Sequence, residues 1–279
     1  MYSLIKPSRT VQEFFDICVN AKRNNELKTR LQNSKQAIIQ AEEEFERKVK
    51  LAQLHTIPSH TTVAQVTKNE MKKLYSEKLV SKSSPGRLLY DELMNAPAHG
   101  RCPLCGHGTV GTLDHHLPKS MYPSLAITPI NLVPACRDCN TTKLDDLPTS
   151  ANDETIHPYF DNIENERWLY AQVKETAQAP IHFYVDTPEC WDITLSNRVK
   201  KHFESFQLNR LYTIQAAREL VTRKWSIEQA FTSGGVEGVK NVLNDNFCSH
   251  KVVNLNSWQT AMYESLLKSE WYCSVGFKY

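Results

Sequence analysis

Two Cys-x-x-Cys motifs in the middle of the chain restrict its fold more than any other feature of the sequence. Cys102 and Cys105 form the first motif, Cys136 and Cys139 form the second, and 30 residues lie between them. Two thiolates spaced in this way reach one metal ion, and two such turns complete a tetrahedral four-cysteine zinc site. A closed site of this kind stabilises a fold and has no open position for catalysis. We therefore predict a structural zinc ion. The alternative is that these cysteines are redox-active or simply buried.

The composition is that of a soluble globular protein. Hydrophobic residues make up 41% of the 279 residues and charged residues 23%, which are ordinary values. No apolar run is long enough to cross a bilayer, and the N-terminus lacks the pattern of a signal peptide. The four other cysteines are scattered singly, which is typical of buried thiols in a reducing compartment. We predict a cytoplasmic protein with no membrane partner.

The charge distribution favours a cation site in the middle of the chain. The net charge is only +2, but residues 97–165 carry 4 basic and 8 acidic residues, whereas residues 1–96 carry 16 and 11. A net charge this small does not indicate a nucleic-acid-binding protein by itself. A phosphate-binding surface would have to come largely from the flanking regions.

Several polar residues between and beside the cysteine motifs form a second pattern. The segments are Asp114-His115-His116-Leu117-Pro118, then Asn131-Leu132, and then Cys136-x-x-Cys139-Asn140-x-x-Lys143. Over about residues 100–145 this pattern resembles the HNH endonucleases of the ββα-metal fold. The resemblance implies a hairpin whose first strand carries Asp-His and a helix that begins near Asn140.

The resemblance also implies the role of each matching residue. His115 would be the general base and Asn131 would fix its orientation, while Asp114 and Asn140 would bind a catalytic Mg²⁺ or Mn²⁺ ion. These roles agree with simple chemistry, because a neutral imidazole accepts a proton from water near pH 7. Carboxylate and amide oxygens are suitable ligands for a hard cation that keeps several water molecules.

His116 stands where the family usually has an apolar residue. Strand alternation predicts that its side chain points away from His115. It then packs in the interior or contacts a phosphate. A shifted register would make His116 the base, but Pro118 favours His115 as the family's histidine.

Three further polar residues are candidate supporting groups. Lys119 and Lys143 either contact phosphates or lie on the solvated surface. His157 either supports the site from behind or belongs to a structural turn with Tyr159 and Phe160.

A longer resemblance suggests a biological setting. The run from Asp114 to Ala126, the segment around Asn131, and His157-Pro-Tyr-Phe-Asp161 look like the PtuB-type HNH subunits of Septu and of retron-linked anti-phage systems. This implies an SMC- or ABC-like ATPase partner of the PtuA type, with a retron reverse transcriptase and its noncoding nucleic acid as further possible partners. DNA and RNA both remain open as substrates. The rival hypothesis is a zinc-stabilised module that binds nucleic acid or protein without cutting it.

The flanking regions carry helical patterns. We predict a mostly α fold with a small zinc-stabilised ββα-metal (HNH) core at 97–165, a helical region at 1–96 and a mainly helical region at 166–279. Thr10 and Glu13 have capping-box spacing. Apolar stripes in both flanks serve either as partner-docking surfaces or as packing within the monomer; they comprise Leu27, Leu31, Ile38 and Phe45, and Trp258, Met262 and Leu266. Alternation at 181–186 predicts a strand, and residues 233–238 predict a turn.

Overall fold

A computed structural model describes residues 1–143 and 147–279 and divides the chain into two compact units. The first unit is Tyr2–Asn162 and the second is essentially Ile163–Tyr279. The predicted regions 1–96 and 97–165 thus lie in one unit, apart from Met1 and residues 163–165. The architecture is mostly helical, with small antiparallel sheets. Within the described residues, none of the helices has both the length and the apolar character that a membrane span requires.

The first unit combines short strand pairs with helices. Its helices are α1 (Val11–Asn20), α2 (Asn25–Val49), α3 (Lys68–Leu74), α4 (Arg87–Met94) and α5 (Arg137–Lys143). Its strands are β1 (Thr62–Val63), β2 (Val66–Thr67), β3 (Thr112–His115) and β4 (Leu132–Ala135). Helix α3 continues directly into a π-helical segment, Tyr75–Val80. Strands β3 and β4 form an antiparallel pair in which Asp114 lies opposite Val133, and α5 follows β4 closely.

The apolar stripe of α2 packs inside the first unit. Leu31, Ile38 and Phe45 are fully buried. Leu31 and Ile38 belong to a core that also contains residues of α1, α3, α4, β3 and β4. Phe45 lies in a second cluster with Leu117 and other residues of the segment between β3 and β4. Of the two predicted roles for this stripe, packing within the monomer therefore agrees with the structure.

The N-terminus of α1 is capped by a distant residue. Thr10 occupies the predicted cap position, but its side chain makes no capping hydrogen bond. The backbone N–H of Val11 instead donates to the Glu42 carboxylate of α2, with both oxygens 3.1 Å away. The prediction of a Thr10–Glu13 capping box was wrong, because the Thr10 side chain accepts no capping hydrogen bond and the helix N-terminus uses a carboxylate of a neighbouring helix instead.

The second unit is a hairpin packed with helices. Its elements are β5 (Leu169–Val173), β6 (Ile181–Val185), α6 (Ile193–Ser205), α7 (Leu208–Val253), α8 (Trp258–Lys268) and α9 (Glu270–Ser274). Strand β6 confirms the alternation at 181–186 and pairs with β5. The turn predicted at 233–238 is a single break in α7, where Gly235 has φ +60° and ψ −147°. Trp258, Met262 and Leu266 are buried, so the stripe of α8 also packs internally.

We predict that Ile38→Ala lowers the free energy of unfolding by about 2–5 kcal/mol, because it removes a fully buried side chain from a shared core. Leu88→Ala is the control, since Leu88 is 78% exposed and such a change shifts stability by no more than about 0.5 kcal/mol. Urea unfolding followed by circular dichroism measures both. Equal effects of the two substitutions would show that the α2 stripe is a free surface.

Candidate functional site

The four paired cysteines meet in one buried cluster. Their ligand atoms all lie within 4.8 Å of one another, and none of the four is in a disulfide. The sulfurs of Cys105 and Cys136 are 3.9 Å apart. Four sulfurs arranged tetrahedrally at about 2.3 Å from a zinc ion are separated by about 3.8 Å. The cluster therefore has the ligands and the spacing of a structural four-cysteine zinc site.

Tight turns position the sulfurs and give them hydrogen bonds. The N–H of Gly108 donates to Cys105 Sγ at 3.3 Å, and the N–H of Cys139 donates to Cys136 Sγ at 3.4 Å. Backbone donors of this kind stabilise a thiolate. Gly108 also has no room for a side chain, because a Cβ atom there would lie 2.8 Å from Cys136 Sγ.

The cluster needs a balancing positive charge. Hydrogen bonds among the thiols raise the pKa of Cys102 and Cys139 and lower the pKa of Cys105. Four thiols this close together cannot all ionise unless a cation compensates their charge. A bound zinc ion would supply that charge and would couple its binding to folding.

Asn131 organises the segment that connects β3 to β4. Its side chain is fully buried, accepts a hydrogen bond from the Leu117 N–H at 2.8 Å, and donates to the carbonyls of Leu117 at 3.0 Å and Leu125 at 3.2 Å. Its own carbonyl accepts from the His116 N–H at 2.8 Å. Asn131 thus fixes the backbone next to Ala126, the residue that contacts the His115 ring.

The ring of His115 is held in one orientation. Nε2 lies 2.9 Å from the carbonyl oxygen of Ala126, and since a carbonyl can only accept, Nε2 carries the proton. Nδ1 then has its lone pair and accepts from the Lys119 ammonium at 3.4 Å. Tyr75 packs edge-to-face against the same ring, with 4.6 Å between the two centroids. Burial, together with Lys119, lowers the pKa of His115 to about 3, so the imidazole is neutral.

A buried ion pair joins the end of β3 to the last turn of α5. Lys143 Nζ donates to Asp114 Oδ2 at 3.0 Å and to the carbonyls of His115 and His116 at 3.1 and 2.7 Å. These contacts use the three donors of the ammonium group. Burial raises the pKa of Asp114, and Lys143 opposes that shift. The sequence suggested that Lys143 contacts a phosphate or lies on the solvated surface. Neither prediction agrees with the structure, because the ammonium group is buried and all three of its N–H donors are used.

Asn140 also lies in α5. It lies one turn before Lys143 and is partly exposed, so the two side chains share one side of the helix. Asp114 and Asn140 together offer one carboxylate and one amide group, a donor set that suits Mg²⁺ or Mn²⁺ with several water ligands. In the part of the chain that the structure describes, the four-cysteine cluster is the one group of three or more His, Cys, Asp or Glu residues arranged for a metal.

His116 and His157 lie together on the other side of β3. Their ring centroids are 4.3 Å apart, and both rings contact Phe45 edge-on. His157 also belongs to a turn, since its N–H donates to Asp161 Oδ2 at 2.7 Å and its Nδ1 accepts from the Tyr159 N–H at 3.3 Å. His116 is therefore a buried packing residue, as strand alternation predicted, and His157 occupies its structural turn.

Two groups at this site were not predicted from the sequence. Tyr75 comes from the N-terminal region and contacts both the His115 ring and Lys119. Ala126 acts through its carbonyl, which every residue type possesses. No local signal identifies either one, because both contacts depend on how distant segments pack.

Comparison with known proteins gives one informative similarity. The chain is 28% identical to Protein ea31 of Escherichia phage lambda over 291 aligned positions, which cover 97% of this chain and 98% of the phage protein. No family model matches the chain. No solved structure matches it either.

We predict that Gly108→Ala lowers the zinc content of the purified protein from about one ion per chain, because the added Cβ would displace Cys136 Sγ. Gly111→Ala is the matched control, since a Cβ there meets no more than the Arg137 side chain at an ordinary 3.7 Å. Mass-spectrometric metal analysis measures both proteins. Full zinc occupancy in Gly108→Ala, or no zinc in the parent protein, would contradict the proposed centre.

Proposed function

We propose that this protein is a metal-dependent endonuclease of the HNH type that hydrolyses phosphodiester bonds in nucleic acid. The observation that carries the proposal is the orientation of His115. Its Nε2–H is tied to the Ala126 carbonyl, and its Nδ1 has a lone pair that faces Lys119. A fixed imidazole that is neutral near pH 7 and keeps a lone pair on one nitrogen can accept a proton from water.

His115 would take the proton from the attacking water at Nδ1. Lys119 now donates to that atom, so its ammonium has to turn away before the water can bind there. A phosphate group of the substrate is a strong acceptor for a lysine ammonium. Substrate binding would therefore draw Lys119 from Nδ1 to a phosphate oxygen and free the base at the same time.

Asp114 and Asn140 fit the role of ligands to Mg²⁺ or Mn²⁺. Such an ion, when bound, supplies electrostatic stabilisation of the charge that develops on the phosphate. Lys143 keeps the buried carboxylate of Asp114 paired and fixes the end of β3. The ammonium also shares that carboxylate with any incoming cation, so we expect the divalent ion to bind weakly until the phosphate adds further oxygen ligands.

The zinc centre has a separate role in this proposal. Its four cysteine ligands complete the coordination shell, so a zinc ion there has no position for water or substrate. It would hold the segment before β3 against the start of α5. Zinc removal is then expected to unfold the site. Mg²⁺ removal is expected to stop the reaction and to leave the site folded.

The resemblance to PtuB-type subunits extends the proposal to anti-phage defence. A PtuA-type ATPase would control the nuclease, and in a retron-linked setting a reverse transcriptase and its noncoding nucleic acid would act with it. The small net charge and the acidic site region support a need for a partner, because a basic surface normally supplies most of the affinity for nucleic acid.

We predict that His115→Ala reduces the cleavage rate by a factor of about 10²–10⁴, the usual contribution of a general base, while His116→Ala retains most of the activity. Both side chains are similarly buried, so the two variants are matched in the cavity that they create. Zinc content and circular dichroism confirm that each is folded. The assay follows cleavage of duplex DNA, single-stranded DNA and total RNA with Mg²⁺, with and without the neighbouring ATPase.

Loss of activity in His116→Ala with normal activity in His115→Ala would show that the wrong histidine has been assigned. Binding of nucleic acid without any Mg²⁺-dependent cleavage, even with the partner, would favour the alternative of a non-catalytic zinc module.

A further inference from the structure

The carboxylates of α3 and its π-helical continuation form ion pairs with cations from other parts of the chain. Glu70 makes a two-point contact with Arg30 of α2, at 2.6 and 3.0 Å. Glu77 pairs with Lys22, which follows α1, at 3.0 Å. Neither carboxylate lies within ion-pair distance of a lysine of α3 itself.

Three lysines of α3 have no carboxylate partner among residues 1–143 and 147–279. Lys72 and Lys73 are exposed and Lys68 is partly exposed, and no ion pair in this part of the chain involves any of them. Two of the three α2 lysines differ, since Lys35 and Lys48 are each paired with a carboxylate. The face of α3 is thus a local concentration of positive charge in a protein of nearly zero net charge.

Two of these lysines lie on the side of α3 that leads to His115. Lys68 and Lys72 precede Tyr75 by seven and three residues, which places them on the same side of the helix. Tyr75 contacts the His115 ring, and the Lys119 ammonium lies 5.1 Å from the centroid of the same tyrosine ring. We call Lys68, Lys72 and Lys119 the lysine row. Lys73 precedes Tyr75 by only two residues and faces a different direction.

We propose that the lysine row binds the sugar–phosphate backbone of a nucleic acid strand and directs it to His115. Lys68 and Lys72 are four residues apart, or about 6 Å along the helix axis. One strand of a duplex carries a phosphate for about every 3.4 Å of its axis, so two ammonium groups with this spacing can contact phosphates about two nucleotides apart on one strand. This inference rests on the proposed nuclease function. It supplies, from the N-terminal region, the basic surface that the acidic region 97–165 lacks.

The test measures binding without cleavage. The full-length, zinc-loaded protein carries His115→Ala, and fluorescence anisotropy gives its Kd for labelled duplex DNA, single-stranded DNA and RNA of one sequence between about 50 and 200 mM salt. Each phosphate contact contributes about 0.9 to the slope of log K against log salt for duplex DNA and about 0.7 for single strands. Lys72→Ala should lower the slope by about that amount, and Lys68→Ala with Lys72→Ala by about twice as much.

Lys73→Ala is the matched control, because it removes the same charge from the same helix on another side. We expect it to leave the slope nearly unchanged. The inference is overturned if Lys72→Ala and Lys73→Ala have equal effects, or if none of the three probes binds in a salt-dependent way. The preferred probe distinguishes DNA from RNA.

Cleavage by the protein with His115 intact separates this inference from the proposed reaction. If the Lys68 and Lys72 variants weaken binding but the parent protein never cleaves nucleic acid, the binding surface is supported and the proposed nuclease function is wrong. If cleavage depends on His115 but not on Lys68 or Lys72, the nuclease function is supported and the proposed role of the lysine row is wrong.

Discussion

The Lys143 ammonium, bound to Asp114 and to the carbonyls of the two following residues, is the interaction on which the site depends. It joins the end of β3 to the last turn of α5 and neutralises a carboxylate that burial would otherwise destabilise. The cysteine cluster ties the other end of the same elements, because its motifs lie before β3 and at the start of α5. A strand pair of four residues each is too short to be stable alone. The Lys143 contacts and the cysteine cluster therefore stabilise a strand pair that is too short to be stable alone.

Residues from distant parts of the chain orient the His115 ring. Asn131 fixes the connecting segment, Ala126 fixes the ring, and Tyr75 packs against it. The N-terminal helices share one core with both strands, so the site region belongs to a larger unit and is not a separate domain. Phe45 of α2 supports the opposite side through His116 and His157. The N-terminal region is thus part of the site's structure.

The sequence motifs predicted the features of the site that depend on residues close together in the chain. The spacing of the four cysteines was enough to predict the cluster, and alternation was enough to place His116 on the side of β3 opposite His115. The sequence could not reveal that Lys143 is buried, because a lysine at the end of a helix is equally suited to solvent. It could not reveal that the Glu42 carboxylate, and not the Thr10 side chain, accepts a hydrogen bond at the start of α1, since that contact joins two helices. The contact of Tyr75 with the His115 ring could not be predicted for the same reason, because it joins distant segments. In each of these cases tertiary packing selected among options that the local pattern left equal.

The protonation of His115 is the property that most directly tests this view of the site. Protein with ¹⁵N-labelled histidine, compared with His115→Gln to identify the His115 signals, reports which ring nitrogen carries the proton. We expect Nε2 to be protonated and Nδ1 to be unprotonated from about pH 7.5 down to about pH 5, because burial lowers the pKa from its ordinary value of 6.5 to about 3. A proton on Nδ1 in the neutral ring would contradict the assignment of Nδ1 as the base, and titration of His115 near its ordinary pKa would contradict the burial of the ring.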